Sequence, residues 1–325
     1  MRDWTPLPRT PRPALMDRLR PIVIGTRGSS LAMCQAHIVQ TRLEEKFPHR
    51  VFTLQTIKAQ ADANPELPLT AMSGEGVFVK ELEAALAEGR IDCAVHSMKD
   101  LPLQLPAALR IASVLEREEP RDALVSRSGQ PLERLPAASR IGTSSLRRQS
   151  QLLRWRRDLD ILEIRGNVDT RLRKLDEGHY DAIVVAACGL IRLGLEERIT
   201  ERLDFSQMLP EPGQGALTIE TRADDREIVE MLGILDDPLT RACVDTERSF
   251  LRALGGGCRV PIAAYASCRD GVLALEGAVV SADGRRELRG EMQGPMTEPV
   301  SLGERLASHL LSQGAKELLQ VTVKK

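Results

Sequence analysis

The chain has few aromatic residues, no long apolar run and almost no net charge. Aromatics make up 3% of its 325 residues, too few for the stacking platforms on which single-stranded nucleic acid is bound. No stretch of about 18 apolar residues occurs, so no membrane-spanning helix is expected. The formal net charge of −1 supplies no general attraction to nucleic acid or an anionic membrane, and no DNA-binding motif compensates. The cysteines, at 34, 93, 188, 243, 258 and 268, form no CxxC pair, so zinc-ribbon spacing is missing. Cys34 and His37 lie three apart on an expected helix, but two ligands do not make a metal site, and no metal is expected. Scattered thiols in a chain this long also argue against a disulfide framework and for a reducing, cytoplasmic setting. The first twenty residues, MRDWTPLPRTPRPALMDRLR, lack the apolar core of a secretory signal and read as a loosely ordered extension.

What is present alternates strand and helix. PIVIGTRGSSLAMCQAHIVQTRLEEKF reads as a strand, a glycine turn and a helix capped by Ser29 or Ser30, with apolar residues at helical spacing thereafter. GVFVKELEAALAEGR reads as a helix ending at Gly89, followed by the strand IDCAVHS. ASRIGTSSLRRQSQLLRWRRD repeats the strand, turn and helix, and residues 159–194 read as strand, basic loop, helix, strand, loop. Such alternation predicts α/β domains with parallel sheets. The segments IGTRGSSLAMCQAHIV and IGTSSLRRQSQLL share IGT and then SSL, which suggests two similarly built domains, each aiming a serine-capped helix N-terminus at the carboxyl edge of a sheet. Helix N-termini attract anions. The last ninety residues differ. A helix PLTRACVDTERSFLRAL precedes strands separated by Asp-Gly and Ala-Asp-Gly turns, and SLGERLASHLLSQGAKELLQ closes the chain as one amphipathic helix. This is a smaller α+β domain with an antiparallel meander.

Arginines gather at the expected turns: Arg27 after the first strand, Arg147 and Arg148 at the start of a helix, Arg165 and Arg171 around RGNVDTR, and Arg192 after AACGLI. Ligands of open α/β sheets bind at the carboxyl ends of the strands, and guanidinium groups pair bidentately with carboxylate or phosphate. Several together imply a ligand with several anionic groups. Lys99 and Asp100, in HSMKDLP, stand at the same edge. Asp100 is either a turn residue or a carboxylate kept ionised among cations, able to bind N–H donors or to stabilise positive charge. The stretch LGGGCRVP sets three glycines before Cys258. It reads either as a turn holding a small buried thiol or as a backbone that something must approach closely.

Taken together and in order, TRGSSLA, VFVKELE, AVHSMKDLP, EREEPRDALVS, GTSSLRRQ, RGNVDTRL, GLIRLG, PGQGAL and GGGCRVPIA closely resemble the porphobilinogen deaminases, also called hydroxymethylbilane synthases, over roughly residues 20–325. The resemblance implies two similar domains built like periplasmic binding proteins, residues 21–115 with 216–236 and residues 116–215, and a third, residues 237–325, carrying the cofactor cysteine. It implies a dipyrromethane cofactor joined to Cys258 by a thioether, with Lys99, Ser144, Arg147, Arg148, Arg171 and Gly189 at the cofactor and Arg27, Ser29, Phe78, Arg165 and Arg192 at the substrate. The implied reaction condenses porphobilinogen units head to tail, four in succession with loss of ammonia each time, after which water releases the linear tetrapyrrole. Asp100 would bind pyrrole N–H groups and stabilise the electron-poor ring left by ammonia. The resemblance also implies a cytoplasmic monomer without nucleic-acid or membrane partners.

Residues 59–76, AQADANPELPLTAMSGEG, depart from the family pattern. Members often carry Thr-x-Gly-Asp here, followed by a lysine-containing loop over the cleft. This chain keeps Asp62 but has Gln60 where some relatives have arginine, and Ala71 and Glu75 where some have lysine, so no lid residue is assigned. Glu211 stands where a small residue is common. Other readings stay open from the residues alone: a catalytically impaired paralogue, an anion-binding protein of the same architecture, or a nucleic-acid-binding module using the arginines.

Overall fold

A computed structural model describes residues 20–58, 79–256 and 260–322. Its first sheet contains β1 (Ile22–Thr26), β2 (Phe52–Thr56), β3 (Cys93–Ser97), β4 (Leu109–Val114) and, from much later in the chain, β10 (Leu217–Arg222), in the order β2-β1-β3-β10-β4. Its second contains β5 (Asp122–Ser126), β6 (Arg140–Gly142), β7 (Asp160–Leu162), β8 (Ala182–Ala186) and β9 (Glu201–Arg202), in the order β7-β6-β8-β5-β9. The two orders are one pattern: a parallel trio beside a strand running the other way. β10 is antiparallel to β3, and β5 is antiparallel to β8. Both sheets are therefore mixed, where the alternation of elements predicts parallel ones. The reversed strand in each is supplied by chain that has crossed over from the other sheet, which no local pattern announces.

The helices form where the sequence places caps. Ser29 accepts from the Ala32 N–H at the head of the helix Ser30–Lys46, whose Ala36, Val39 and Leu43 face the core at spacings of three and four, the helical repeat. Ser145 caps the helix Leu146–Trp155 in the same way, accepting from Arg148. The buried face of this second helix is polar, with Arg147, Arg148, Ser150 and Gln151 all enclosed. Buried charge needs a partner, and the partners lie on other segments. Residues 187–192 form a short helix where a loop is expected.

Two segments connect the sheets, 115–121 outbound and 203–216 returning, and they are stitched to each other. Glu118 N–H donates to the Gly215 carbonyl at 3.2 Å, Gln214 Nε2 to the Pro120 carbonyl at 2.8 Å, and Arg117 Nε to the Gln214 carbonyl at 2.8 Å. Gly215 has φ +92°, and a Cβ there would stand 2.3 Å from the Glu118 carbonyl oxygen. Only glycine accepts both the left-handed backbone and so close a neighbour.

The remaining chain packs a three-stranded antiparallel sheet, β11 (Ile262–Arg269), β12 (Val272–Val280) and β13 (Glu287–Pro295), against the helices Pro238–Ala253 and Pro299–Ser312. Asp270 and Gly271, both at positive φ, make the two-residue hairpin whose twist suits paired strands. The closing helix is two helices, Pro299–Ser312 and Ala315–Thr322, parted by Gly314 at φ +98°. Glu247 fastens this unit to the crossings. Its carboxylate takes the Arg117 guanidinium at 2.5 Å, the Gly213 N–H at 2.7 Å and the Ala266 N–H at 2.8 Å.

Candidate functional site

Between the two larger sheets and the third lies a cavity lined by five stretches of chain. The short helical turn Met98–Asp100, directly after β3, contributes Lys99 and Asp100. The N-terminus of the helix Leu146–Trp155 contributes Ser145 and Arg147, and the returning crossing contributes Glu211 and Pro212. Arg248 and Leu251 enter from the helix Pro238–Ala253, and Val260 and Ile262 from the start of the third sheet. Leu251 and Val260 thus bring the chain on both sides of residues 257–259 to the wall that bears Asp100. Cys258 itself lies outside the described residues, as do Phe78, the 59–76 segment and the N-terminal extension up to residue 19.

Two glycines before Cys258 have their own local reasons. Gly255, at φ +67°, ends the helix, with its N–H on Arg252 and the Gly256 N–H on Leu251, the usual left-handed helix stop. A Cβ on Gly256 would meet Leu251 Cδ1 at 2.6 Å and Ile262 Cδ1 at 2.7 Å, so a larger residue there would have to push aside these two cavity-lining side chains.

The cationic side of the cavity is organised by an acid the sequence reading missed. Asp122, fully buried at the first position of β5, accepts from Arg147 Nη1 at 2.7 Å, from Arg148 Nε at 3.0 Å and Nη2 at 2.8 Å, and from Gln214 Nε2 at 3.0 Å. Burial pushes its carboxyl pKa up, but the two guanidinium groups and these hydrogen bonds outweigh that and hold it well below the usual carboxylate range. Gln214 in turn accepts from Lys99 Nζ at 3.0 Å. The consecutive arginines are used differently. Arg148 is occupied, with Nη1 on the Val184 carbonyl in addition to Asp122. Arg147 places Nη1 on Asp122 and the Leu209 carbonyl, while its buried Nε and Nη2 find no hydrogen-bond partner among the described residues. Those two atoms form the side edge with which a guanidinium grips a carboxylate.

A second cationic patch adjoins the first. Arg171 gives Nε to the Gly166 carbonyl, and burial, then the like charges of Arg148 and Arg165, push its pKa down to about 10. Three guanidinium groups held together in this way are relieved by an anion. Arg165 leans on the exposed Glu163 at 2.6 Å, a surface contact worth little. Arg192 donates to the Gly215 carbonyl at 2.5 Å, and its own carbonyl accepts from Cys34 Sγ at 2.8 Å, so it bridges the sheets and the crossing. Gly189 sits at the same seam, its α-carbon facing Leu31 and Val168. Arg27 and Ser29 occupy the turn after β1, with the Ser29 hydroxyl engaged as a helix cap. The Ser144 hydroxyl both donates to and accepts from Ile164 main chain.

Of the expected site residues, the cavity therefore collects Lys99, Asp100 and Arg147. Arg148 and Arg171 adjoin it through Asp122 and like-charge proximity, and Arg27, Ser29, Ser144, Arg165, Gly189 and Arg192 do not line it. The reading missed Asp122, Gln214, Arg117, Glu247 and Arg248, although each stands in a quoted stretch. The signal available was an acid opening an otherwise apolar strand, DALVS, which needs a buried cation. The Asp100 carboxylate has no hydrogen bond or ion pair among the described residues. Among those residues no group of three or more His, Cys, Asp or Glu is placed to hold a metal ion, and no helix is long and apolar enough to cross a membrane.

Residues 22–230 match the family model described as porphobilinogen deaminase, dipyromethane cofactor binding domain, and residues 241–312 match that of the porphobilinogen deaminase C-terminal domain. The chain is similar to the protein named porphobilinogen deaminase from Desulforudis audaxviator (strain MP104C), at 51% identity over 300 residues, covering 92% of this chain and 97% of that one. A protein of the same name from Pelobacter propionicus is 47% identical over 301 residues, covering 93% and 97%. Among solved structures, the methionine binding protein MetQ aligns at 16% identity over 66% of this chain and 89% of that one, with a TM-score of 0.40. The architecture given above stands on the sheet orders themselves.

Proposed function

The chain belongs to the porphobilinogen deaminase family, and from that premise we propose that it is a hydroxymethylbilane synthase working at the cavity of Asp100. It is a transferase that condenses porphobilinogen units head to tail, four in succession with one ammonia lost at each, and frees the linear tetrapyrrole by hydrolysis. The observation that carries this reading is the carboxylate of Asp100, unpaired among the described residues, sharing a cavity with Lys99, with Arg248 and with the edge of Arg147 that has no partner among them.

The residues fit a dipyrromethane, which carries acetate and propionate side chains on apolar rings. Leu251, Val260 and Ile262 offer apolar wall, and Arg147 and Lys99 offer cations in the same lining. Bound there through a thioether to Cys258, the group supplies the pyrrole carbon to which the first unit is joined. Arg147 would bind one of its carboxylates by the Nε and Nη2 edge, with Lys99 beside it, and Arg171 and Arg148 would draw further carboxylates toward the adjoining patch. Ser144 and Gly189 would shape that patch through main chain and close approach. The Ser144 hydroxyl is engaged at Ile164.

Asp100 would accept the pyrrole N–H groups of substrate and stabilise the positive charge that departing ammonia leaves on the ring. A fixed charge in a cavity does this without reorganising at the moment of reaction. Arg27, Arg165 and Arg192, with Ser29 and Phe78, would bind the carboxylates and ring of the incoming unit. We assign residues 21–115 with 216–236 to one domain, 116–215 to a second and 237–325 to a third, in a cytoplasmic monomer that binds no nucleic acid.

Intact-mass analysis of the purified full chain tests the reading, with peptide mapping of the thiol. The expected result is a dipyrromethane adduct on the Cys258 peptide, a colour with an acidic aldehyde reagent for pyrroles, and neither in Cys258→Ser. An adduct on another residue, or active protein without one, would overturn it.

A further inference from the structure

We propose that Asp122 is a positioning residue for this reaction. It holds Arg147 so that the Nε and Nη2 edge is left for a ligand carboxylate, and through Gln214 it fixes Lys99 at the same wall. The proposal rests on the reading of the cavity given above.

Asp122 cannot bind the ligand itself. It is fully buried and takes four donors, from Arg147, Arg148 and Gln214. What it does is solve a problem set by the sequence. Arg147 and Arg148 stand in the first turn of the helix Leu146–Trp155, where the positive end of the helix dipole opposes cations and each repels the other. Without a buried counter-charge the two side chains would be driven outward to water. One carboxylate restrains both and treats them unequally: Arg148 has each guanidinium nitrogen engaged, by Asp122 or the Val184 carbonyl, and Arg147 is held by Nη1 alone.

The same carboxylate reaches the opposite sheet. Asp122 begins β5 of the second sheet, Gln214 lies on the returning crossing, and Lys99 follows β3 of the first. Lys99 Nζ meets Gln214 Oε1 at 3.0 Å, and Gln214 Nε2 meets Asp122 at 3.0 Å. Gln214 is itself held by the Pro120 carbonyl. The Lys99 amine and the Arg147 edge are thereby set relative to each other across the cavity, beside Asp100.

The test uses the full chain and compares Asp122→Asn, Asp122→Glu and a destabilised control, Leu43→Ala, in the core of the first sheet. Apoprotein is incubated with porphobilinogen and the fraction bearing the adduct is followed by intact mass. Loading in Asp122→Asn is expected to slow on the order of tenfold, with Asp122→Glu recovering most of it and Leu43→Ala loading as wild type at an equal loss of Tm. Loading of Asp122→Asn at the control's rate would overturn the proposal. Should that variant not fold, Gln214→Met, which cuts the link to Lys99, is read the same way, and unchanged loading there would overturn it equally. A second readout is independent of any adduct: the side-chain NMR signals of Arg147 and Arg148, assigned by substitution. Slowly exchanging guanidinium protons are expected in wild type and Asp122→Glu and lost in Asp122→Asn. If wild type carries no adduct, the reading of Cys258 fails, and these signals alone decide Asp122. Their persistence in Asp122→Asn would refute its role.

Discussion

Arg248 donates to the main-chain carbonyl of Leu101 at 3.2 Å, and with its other terminal nitrogen to that of Pro102 at 2.6 Å. The helix that runs into the LGGGCRVP loop thus also grips the chain immediately after Asp100. The guanidinium is buried, and hydrogen bonds from a charged donor are the stronger kind. Any shift of that helix is passed to the turn that carries the carboxylate.

Replacing Arg248 by Met keeps most of the apolar stem and removes the donors. Turnover is expected to fall on the order of a hundredfold, because a small displacement of a reacting group has that effect, with far-UV circular dichroism unchanged. Steady-state turnover within a factor of about two of wild type would separate the helix from the placement of Asp100.

Asp100→Asn preserves shape and removes charge. Turnover is expected to drop on the order of 10²–10³-fold, the usual effect of deleting one preorganised electrostatic contact, with folding and adduct mass retained. Near-normal single-turnover rates would strip Asp100 of its assigned part.

The two consecutive arginines are expected to fail in different ways. Either change leaves Asp122 one guanidinium and Gln214, but Arg148→Gln removes two of the four hydrogen bonds to Asp122 and the bond to the Val184 carbonyl, so its loss of stability, roughly 3–5 kcal/mol by denaturant unfolding, is expected to be the larger. Arg147→Gln removes one of those four bonds and takes away the Nε and Nη2 edge that has no partner among the described residues, so its main effect is expected on cofactor loading, read by mass. Equal behaviour in both assays would contradict the unequal geometry of the pair.

Glu83, on the helix Lys80–Ala87, lies near the buried pair formed by His96 and Glu220 at 3.1 Å. Burial, then the charge of Glu220, raise its pKa, and His96 and Lys80 offset this only in part. The folded state therefore holds that proton more firmly than the unfolded chain does. Its contribution to stability is complete below the unfolded value of about 4.3 and is lost as pH rises through the folded value. Glu83→Gln imitates the protonated form, so its Tm should exceed that of wild type at pH 7–8, and the gain should vanish near pH 4. A lower Tm for the variant at neutral pH would reverse the sign.

Much of this molecule is legible locally. Ser29 and Ser145 cap helices because a short hydroxyl ahead of a helical repeat has one favourable use, and Asp270-Gly271 turns a hairpin because few other pairs accept positive φ twice. The motif residues Lys99, Asp100 and Arg147 meet at one cavity. The antiparallel placement of β5 and β10 is not legible, since pairing partners as far apart as Asp122 and Ala186, or Ser97 and Leu217, leave no mark on either strand. Nor does GTSSLRRQ show which arginine is spent on structure. That depends on Asp122, twenty-five residues upstream of Arg147.

By itself the amino-acid order determined the serine-capped helices with the strands before them and the hairpin turn, which residues carry charge into the turns, and to which family the chain belongs, because caps, periodicity and motifs act over a few residues. Tertiary structure alone decided how those charges are used. Among the described residues it left one edge of Arg147 without a partner and Asp100 unpaired in a shared cavity, while it engaged all three guanidinium nitrogens of Arg148 and tied Lys99 to Gln214. Ion pairing and burial depend on distances through space, and only the folded chain brings Asp122, Gln214 and Arg248 to the residues they govern.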